Sequence, residues 1–252
     1  DTDTDTDSYT DSTAPWTFIA AADSRGSDNG VNSEVLNNIV NSVLALNPAP
    51  DLFVFPGDMT DYGTASELNY WVQIMQPIVD AGIPVLPVTG NHDQGIPSSM
   101  NWGNKLVHKN AMFLGFNDGD PNMSTINSAL SSSTSTHVFT LGHLPMASYD
   151  HTDILSNPDT LIDALIPAGG RLYFCGHDHG YQRTTITSGN TNFHNLLTGA
   201  AGAPFYACGG FNYNGSLTTN EEYCEDSNYG YHIITVNGNS VSVVFMEDNG
   251  GD

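Results

Sequence analysis

Asp58, in Gly57-Asp58-Met59-Thr60-Asp61, follows directly on the apolar run Leu52-Phe53-Val54-Phe55-Pro56. A carboxylate set where a buried strand ends can bind a cation, and imidazoles carried beside it by other strands would complete a metal site. The chain repeats the arrangement. Asp23 ends the run Phe18-Ile19-Ala20-Ala21-Ala22, Asn91-His92-Asp93 follow Val85-Leu86-Pro87-Val88, His143 follows Val138-Phe139-Thr140-Leu141, and His177-Asp178-His179 follow Leu172-Tyr173-Phe174-Cys175. Each run ends in a glycine or another small residue before the oxygen or nitrogen groups appear. Taken singly, Asp58, Asn91, His143 and His177 could be turn or cap residues. Their joint arrival at strand ends favours a metal site.

The segments that must position these groups alternate between strand-like and helix-like from Trp16 onward, the pattern of a layered α/β domain. Val31, Val35, Leu36, Ile39, Val40, Val43 and Leu44 recur at helical spacing, with Pro48 as the stop. Residues 65–81 predict a second helix with Leu68, Trp71, Val72, Met75 and Val79 inward and Pro77 as a kink. Residues 94–123 have no clean period and read as a surface excursion anchored by Trp102 and Met112-Phe113-Leu114. Short helices are expected over 124–133 and 159–167. Beyond Gly180 the chain is β-rich, with strands over 193–197, 231–236 and 241–245 and a hairpin turn at Asn237-Gly238-Asn239. Two stacked sheets with helices outside follow.

The 252 residues suffice for one large domain, read as 14–252, behind an acidic low-complexity tail, 1–13. That tail reads as a disordered linker or, through its alternating Asp, as a calcium-binding segment. Lys and Arg total 5 against 28 Asp and Glu, a formal charge of -23, which argues against nucleic acid or an anionic membrane as a stable partner. No apolar run approaches the ~20 residues of a membrane helix, and no signal peptide is present, as in a mature or trimmed secreted form. Of the 3 cysteines, Cys175 lies in an apolar run and reads as a buried thiol. Cys208 and Cys224 flank a Gly/Asn/Tyr-rich loop, where a disulfide would contribute ~3 kcal/mol and imply an extracellular or periplasmic location.

Taken in order, Asp23, Gly57-Asp58-Met59-Thr60-Asp61, Gly90-Asn91-His92-Asp93, Gly142-His143 and Gly176-His177-Asp178-His179 resemble the motif set of the calcineurin-like metallophosphoesterases. Gly180-Tyr181-Gln182-Arg183 and Gly199-Ala200-Ala201-Gly202-Ala203-Pro204 look like the purple acid phosphatase side of that superfamily. The resemblance implies a four-layer α/β/β/α sandwich of two mixed sheets and a two-metal site of Fe, Zn or Mn. Asp58 would bridge the ions, Asp23 and His179 would bind the first, and Asn91, His143 and His177 the second. Two cations ~3.5–4 Å apart clamp a phosphoryl group and acidify the attacking water. His92 would serve the leaving oxygen, with Asp93 orienting its ring.

The departure from the pattern is Asp23-Ser24-Arg25, where the common motif is Asp-x-His and the His is a ligand of the first metal. Arg, always protonated, cannot replace it. The Tyr that purple acid phosphatases place three residues after the bridging Asp is here Asp61, so Asp61 or another group must complete the first site, and no purple charge-transfer colour is expected. Tyr62 should face away. Arg25 is expected to bind substrate phosphate or to pair with Asp61. His151, in the loop after His143, is a candidate substrate contact, and Tyr181 and Arg183 either face phosphate or pack. His108, His137, His194 and His232 have no partner motif. The leading expectation is a secreted phosphoesterase acting on small phosphomonoesters, with diesters also open. A relative that binds without turnover, or a calcium-dependent surface module, is the alternative.

Overall fold

The computed structural model describes residues 14–248; the acidic segment 1–13 and its expected linker or calcium role lie outside them. Five strands form one sheet in the order Ser240–Glu247, Gly230–Asn237, Trp16–Ala20, Leu52–Pro56, Val85–Val88. The last three are mutually parallel and the other pairings antiparallel. Seven form the second sheet, Thr218–Glu225, Tyr181–Ser188, Thr191–Thr198, Gly170–Cys175, His137–Leu141, Ala111–Gly115, Lys105–His108. Its middle four are parallel and its flanking pairs antiparallel. Both sheets are mixed, as expected.

Strands buried on both faces read as continuous apolar runs, because alternate side chains enter different layers. Phe53 and Phe55 point with Ile19 toward the helices Ser33–Leu44 and Ala65–Asp80, packing on Leu36, Ile39, Trp71 and Met75. Phe18, Ala20 and Val54 point the other way, between the sheets, where the Phe18 ring lies 5.0–5.6 Å from those of Phe113, Phe139 and Phe174. On the far side the helices Met123–Ser131 and Pro158–Leu165 cover Val138, Tyr173, Cys175 and Phe193. The result is the four-layer sandwich.

Helix Ser33–Leu44 starts at Asn32, whose side chain accepts from the Val35 N–H. Helix Ala65–Asp80 starts in a capping box, Thr64 with Glu67. Its inward set differs from expectation. Trp71 and Met75 are buried and Leu68 and Val72 partly buried against the same core, as expected, while Ile74, Ile78 and Glu67 join them and Val79 is exposed. The stretch 94–123 is also more regular than its aperiodic sequence: Met112-Phe113-Leu114 lie in the buried strand Ala111–Gly115, paired to Lys105–His108. Two long strands beyond Gly180 were also not anticipated. Tyr181–Ser188 and Thr218–Glu225 are Thr- and Glu-rich, and the second is an exposed sheet edge that Glu221 and Glu222 keep charged.

Candidate metal centre

The carboxyl ends of the parallel strands in both sheets meet at one rim. Backbone bonds tie them together: Asp23 N–H to Gly57 O (3.2 Å), Ser24 N–H to Asp58 O (3.0 Å), Ala22 N–H to Thr198 O (2.9 Å) and Gly176 N–H to His143 O (3.1 Å). Asp23, Asp58 and His177 adopt left-handed backbone, with φ of 61°, 52° and 76°. Such backbone is uncommon for side chains with a Cβ and costs of order 1–3 kcal/mol per residue. Here it turns three polar side chains off the strand ends and into one space. A methyl on Gly90 would collide with Asp58 Oδ1, and one on Gly176 with Asp23 Oδ2, so glycine at both places lets the carboxylates sit against backbone.

Asp58, Asn91, His143 and His177 make the first half of the centre. His143 Nδ1 donates to Pro56 O (2.9 Å), which in the neutral ring leaves Nε2 as a lone pair. That Nε2 faces Asn91 Oδ1 at 3.0 Å and Asp58 Oδ1 at 3.3 Å. His177 joins them, its Nδ1 3.1 Å from Asn91 Oδ1 and its buried Nε2 without a partner among the described residues. The His143 Nε2 lone pair thus faces two acceptor oxygens, an arrangement that repels until a cation enters between them. This half fits a divalent ion.

The other half is Asp23, Asp58 and His179, whose ligand atoms lie within 4.8 Å of one another. His179 Nδ1 donates to Pro204 O (2.6 Å), again leaving Nε2 free. Here, however, a cation is already present. Arg25 places Nε 3.2 Å from Asp58 Oδ2 and donates from Nη2 to His179 Nε2 (2.8 Å) and from Nη1 to His92 Nε2 (2.7 Å). Asp61 Oδ1 stands farther off, at 3.5 Å. Arg25 thus pairs with Asp58 more closely than with Asp61, and as these side chains stand a metal ion does not fit beside it.

Burial sets the protonation of the centre. His177 is lowered to about 3 by burial and then by His143, and His179 to about 4 by burial and then by Arg25. Both rings are therefore neutral at physiological pH, the form that binds metal. Burial, with the Asp58 charge next, pushes the Asp23 carboxyl well above the usual range, and Arg25 opposes this.

The remaining candidates separate. His92 sits half-buried at the mouth, its Nδ1 donating to Asp61 O (2.6 Å). Asp93 does not hold that ring. It accepts from the N–H groups of Gly90 (2.9 Å), Met59 (3.2 Å) and Thr60 (3.3 Å), bracing the Asp58 turn against the Asn91 turn, and burial raises its pKa to about 7. His151 lies beside His177, ring centroids 4.5 Å apart. Tyr181 does not reach the centre: the pleat turns it between the sheets, stacked on Phe245, and Arg183 pairs with Glu222. Tyr62 faces solvent. Cys208 and Cys224 form a disulfide, and Cys175 is a buried thiol.

Sequence reasoning gave no role at the centre to Asp178, Ser24, Trp71 or Tyr206. Asp178 accepts from five donors in the 148–151 loop. Ser24 Oγ donates to Met59 O (2.7 Å) and accepts from Trp71 Nε1 (3.1 Å), fixing the backbone between Asp23 and Arg25. Tyr206 stacks on His179 and walls a cleft of about 400 Å³ shared with Arg25, Asp61 and Phe205. The alternation of Asp178 between two ligand-type histidines was the one available signal. A cavity of similar size, about 440 Å³, opens beside Arg183 and contains none of the centre's residues.

A two-sheet sandwich whose joined strand ends converge on Asp, Asn and His defines the metallophosphoesterase class. Residues 27–181, a span taking in Asp58, Asn91, His92, His143, His177 and His179, match the calcineurin-like phosphoesterase family. The chain belongs to that family, whose members use divalent metals. Among solved structures, it is similar to purple acid phosphatase PPD1 from yellow lupin (Lupinus luteus) seeds, with TM-score 0.71 and 13% identity, over 95% of this chain and 52% of that one. The chain thus spans about half the lupin enzyme's length. It is similar also to GAP50, the anchor in the inner membrane complex of Plasmodium, with TM-score 0.68 and 16% identity, over 94% of this chain and 86% of that one. A Thermus thermophilus protein, TT1561, follows with TM-score 0.54 and 9% identity, over 92% of this chain and 99% of that one. No curated protein matches the chain by sequence. Among the described residues no helix is long and apolar enough to cross a membrane.

Proposed function

We propose that the chain is a metal-dependent phosphoesterase acting on small phosphomonoesters, with diesters as the wider class. The observation that carries the reading is the convergence of the His143 Nε2 lone pair on Asp58 Oδ1 and Asn91 Oδ1 beside His177. A divalent cation held there would supply Lewis acidity toward a phosphoryl oxygen and toward water. The chain's own groups supply the rest. Arg25, with its planar fork at the edge of the cleft, binds the phosphoryl oxygens while remaining paired to Asp58. His92, held at the mouth through Nδ1 on Asp61 O, serves the leaving oxygen. His151, fixed through Nδ1 on Asp178, stands beside the His177 and Tyr206 rings as a substrate contact. The disulfide supports an oxidising, extracellular or periplasmic setting.

Hydrolysis of an aryl phosphate by the full chain with Mn²⁺ or Zn²⁺, its loss with chelator, and its loss in His143→Ala are the expected results. Metal uptake without turnover on any mono- or diester would refute the reading. It would favour a binding protein that kept the fold, for which the direct Arg25–Asp58 ion pair is the supporting observation.

A further inference from the structure

We infer that the Arg25 guanidinium takes the place of the first of the two cations expected at such a centre. The chain then binds a single divalent ion, held by Asp58, Asn91, His143 and His177. The inference deepens the metal-dependent reading and rests on it for the nature of the centre.

Three features of the site converge on it. The first is contact. One planar group meets Asp58 Oδ2 at 3.2 Å, His179 Nε2 at 2.8 Å and His92 Nε2 at 2.7 Å, and the first two are ligand atoms that a cation in the first position would need. His179 has its Nδ1–H committed to Pro204 O, so Nε2 has one lone pair to give, and Arg25 has it. A guanidinium does not release its proton in a protein, so it must leave before an ion can enter.

The second is anchoring. Arg25 does not hang on a loose loop. Ser24 beside it is bonded through Oγ to Met59 O and to the buried Trp71 indole, and Gly26 N–H donates to Gly30 O. Only the side chain could swing out, and that would leave Asp23 and Asp58, both fully buried, without a positive partner until an ion arrived.

The third is contrast between the two halves. Asp58 divides its oxygens: Oδ2 is paired to Arg25, while Oδ1 faces His143 Nε2 and accepts the His92 N–H (3.0 Å). No Lys or Arg group reaches Asn91 or His143 among the described residues. A bridging carboxylate thus spans one guanidinium and one cluster of ligand atoms, where the family pattern has it span two ions. The substitution in sequence is the same event seen locally, since Arg25 stands where Asp-x-His would supply the first ion's histidine.

The test is a metal count on the full chain, stripped with chelator, dialysed and titrated with Zn²⁺, read by calorimetry and by elemental analysis. The wild type should take up one tight equivalent, His143→Ala none, and Arg25→His two. Cobalt(II) loading gives a second readout that needs no variant: the wild type should show the paramagnetic resonance signal of an isolated ion. Two equivalents or a spin-coupled pair in the wild type would overturn the inference, as would a retained equivalent in His143→Ala. Aryl phosphate hydrolysis on the same samples separates the two claims. Two ions with turnover sink the role given to Arg25 and leave the phosphoesterase; one ion without turnover does the reverse.

Discussion

Asp178 offers the sharpest test of how the centre is braced. Its carboxylate is fully buried. Oδ2 accepts from Ser148 Oγ (2.6 Å) and the N–H groups of Tyr149 (2.9 Å) and Asp150 (3.2 Å), while Oδ1 accepts from the N–H (3.2 Å) and Nδ1 (2.6 Å) of His151. Asp178→Asn keeps the volume and turns one acceptor into a donor. Placed at the Oδ1 side, the new NH₂ faces the His151 N–H and leaves it unpaired, at about 1–3 kcal/mol. The bonds on the other oxygen persist without charge assistance, at about half their former strength. The loss totals on the order of 4 kcal/mol, which for a domain of this size lowers Tm by about 10 °C. Thermal melts by circular dichroism measure it. His151→Ala, which removes one side-chain donor and leaves the carboxylate its other partners, should cost less. A Tm for Asp178→Asn within about 2 °C of wild type would refute the reasoning, because a shift that small corresponds to under ~1 kcal/mol.

His232, buried against Tyr181 and Phe245, has ring nitrogens without partners among the described residues, and burial lowers its pKa to about 3 from 6.5, with a weaker opposing pull from the Ala20 backbone. The fold therefore excludes a proton that the unfolded chain takes up. Stability from this site is complete above pH ~6.5 and falls as pH drops toward ~3, by up to ~1.4 kcal/mol per unit. His232→Leu should gain ~2 kcal/mol on wild type between pH 7 and pH 5 in urea unfolding; parallel pH profiles would contradict it. Glu67 Oε2 accepts from Tyr62 N, Thr64 N and Thr64 Oγ, so Glu67→Ala should lose ~2 kcal/mol and Glu67→Gln less, by the same unfolding assay. Replacing Cys208 and Cys224 by Ser opens a loop with a sequence separation of 16; the expected loss is ~3 kcal/mol, and reductant should then leave the melt unchanged.

The candidate centre was legible because its ligands stand immediately after strands buried on both faces, and such strands announce themselves as apolar runs. Leu52–Pro56 and Val85–Val88 are uninterrupted by polar residues, so Asp58 and Asn91 could be placed at strand ends without any knowledge of topology. Tyr181–Ser188 and Thr218–Glu225 escaped notice because their pairing, not their composition, makes them strands. Gln182, Thr184 and Thr185 are buried in Tyr181–Ser188, but nothing in a row of polar residues says that two neighbouring strands will close over it. Tyr181 failed as a site residue for the same reason. Two residues beyond His179 it lies inside the strand, and the pleat sends it into the core. Asp93 accepts from the N–H groups of Gly90, Met59 and Thr60 in place of the His92 ring, since sequence adjacency to His92 says nothing about which backbone N–H groups a turned carboxylate will meet.

Arg25 shows where a one-dimensional reading stops. Along the sequence it registers as a subtraction, a histidine ligand missing from Asp-x-His. In space the same residue is an addition, a fixed positive charge delivered to the buried Asp58 carboxylate by a chain that has only 5 Lys and Arg to place. A metal ion and a guanidinium answer the same electrostatic need, because Asp23 and Asp58 cannot both be buried and ionised without a cation between them. They differ in what they permit. An ion exchanges with solvent and leaves when chelated, whereas a side chain on a backbone fixed through Ser24 to Trp71 is not lost to a chelator. On the one-ion inference, the dependence on metal falls on the other half, where Asn91 Oδ1 and the His143 Nε2 lone pair face each other.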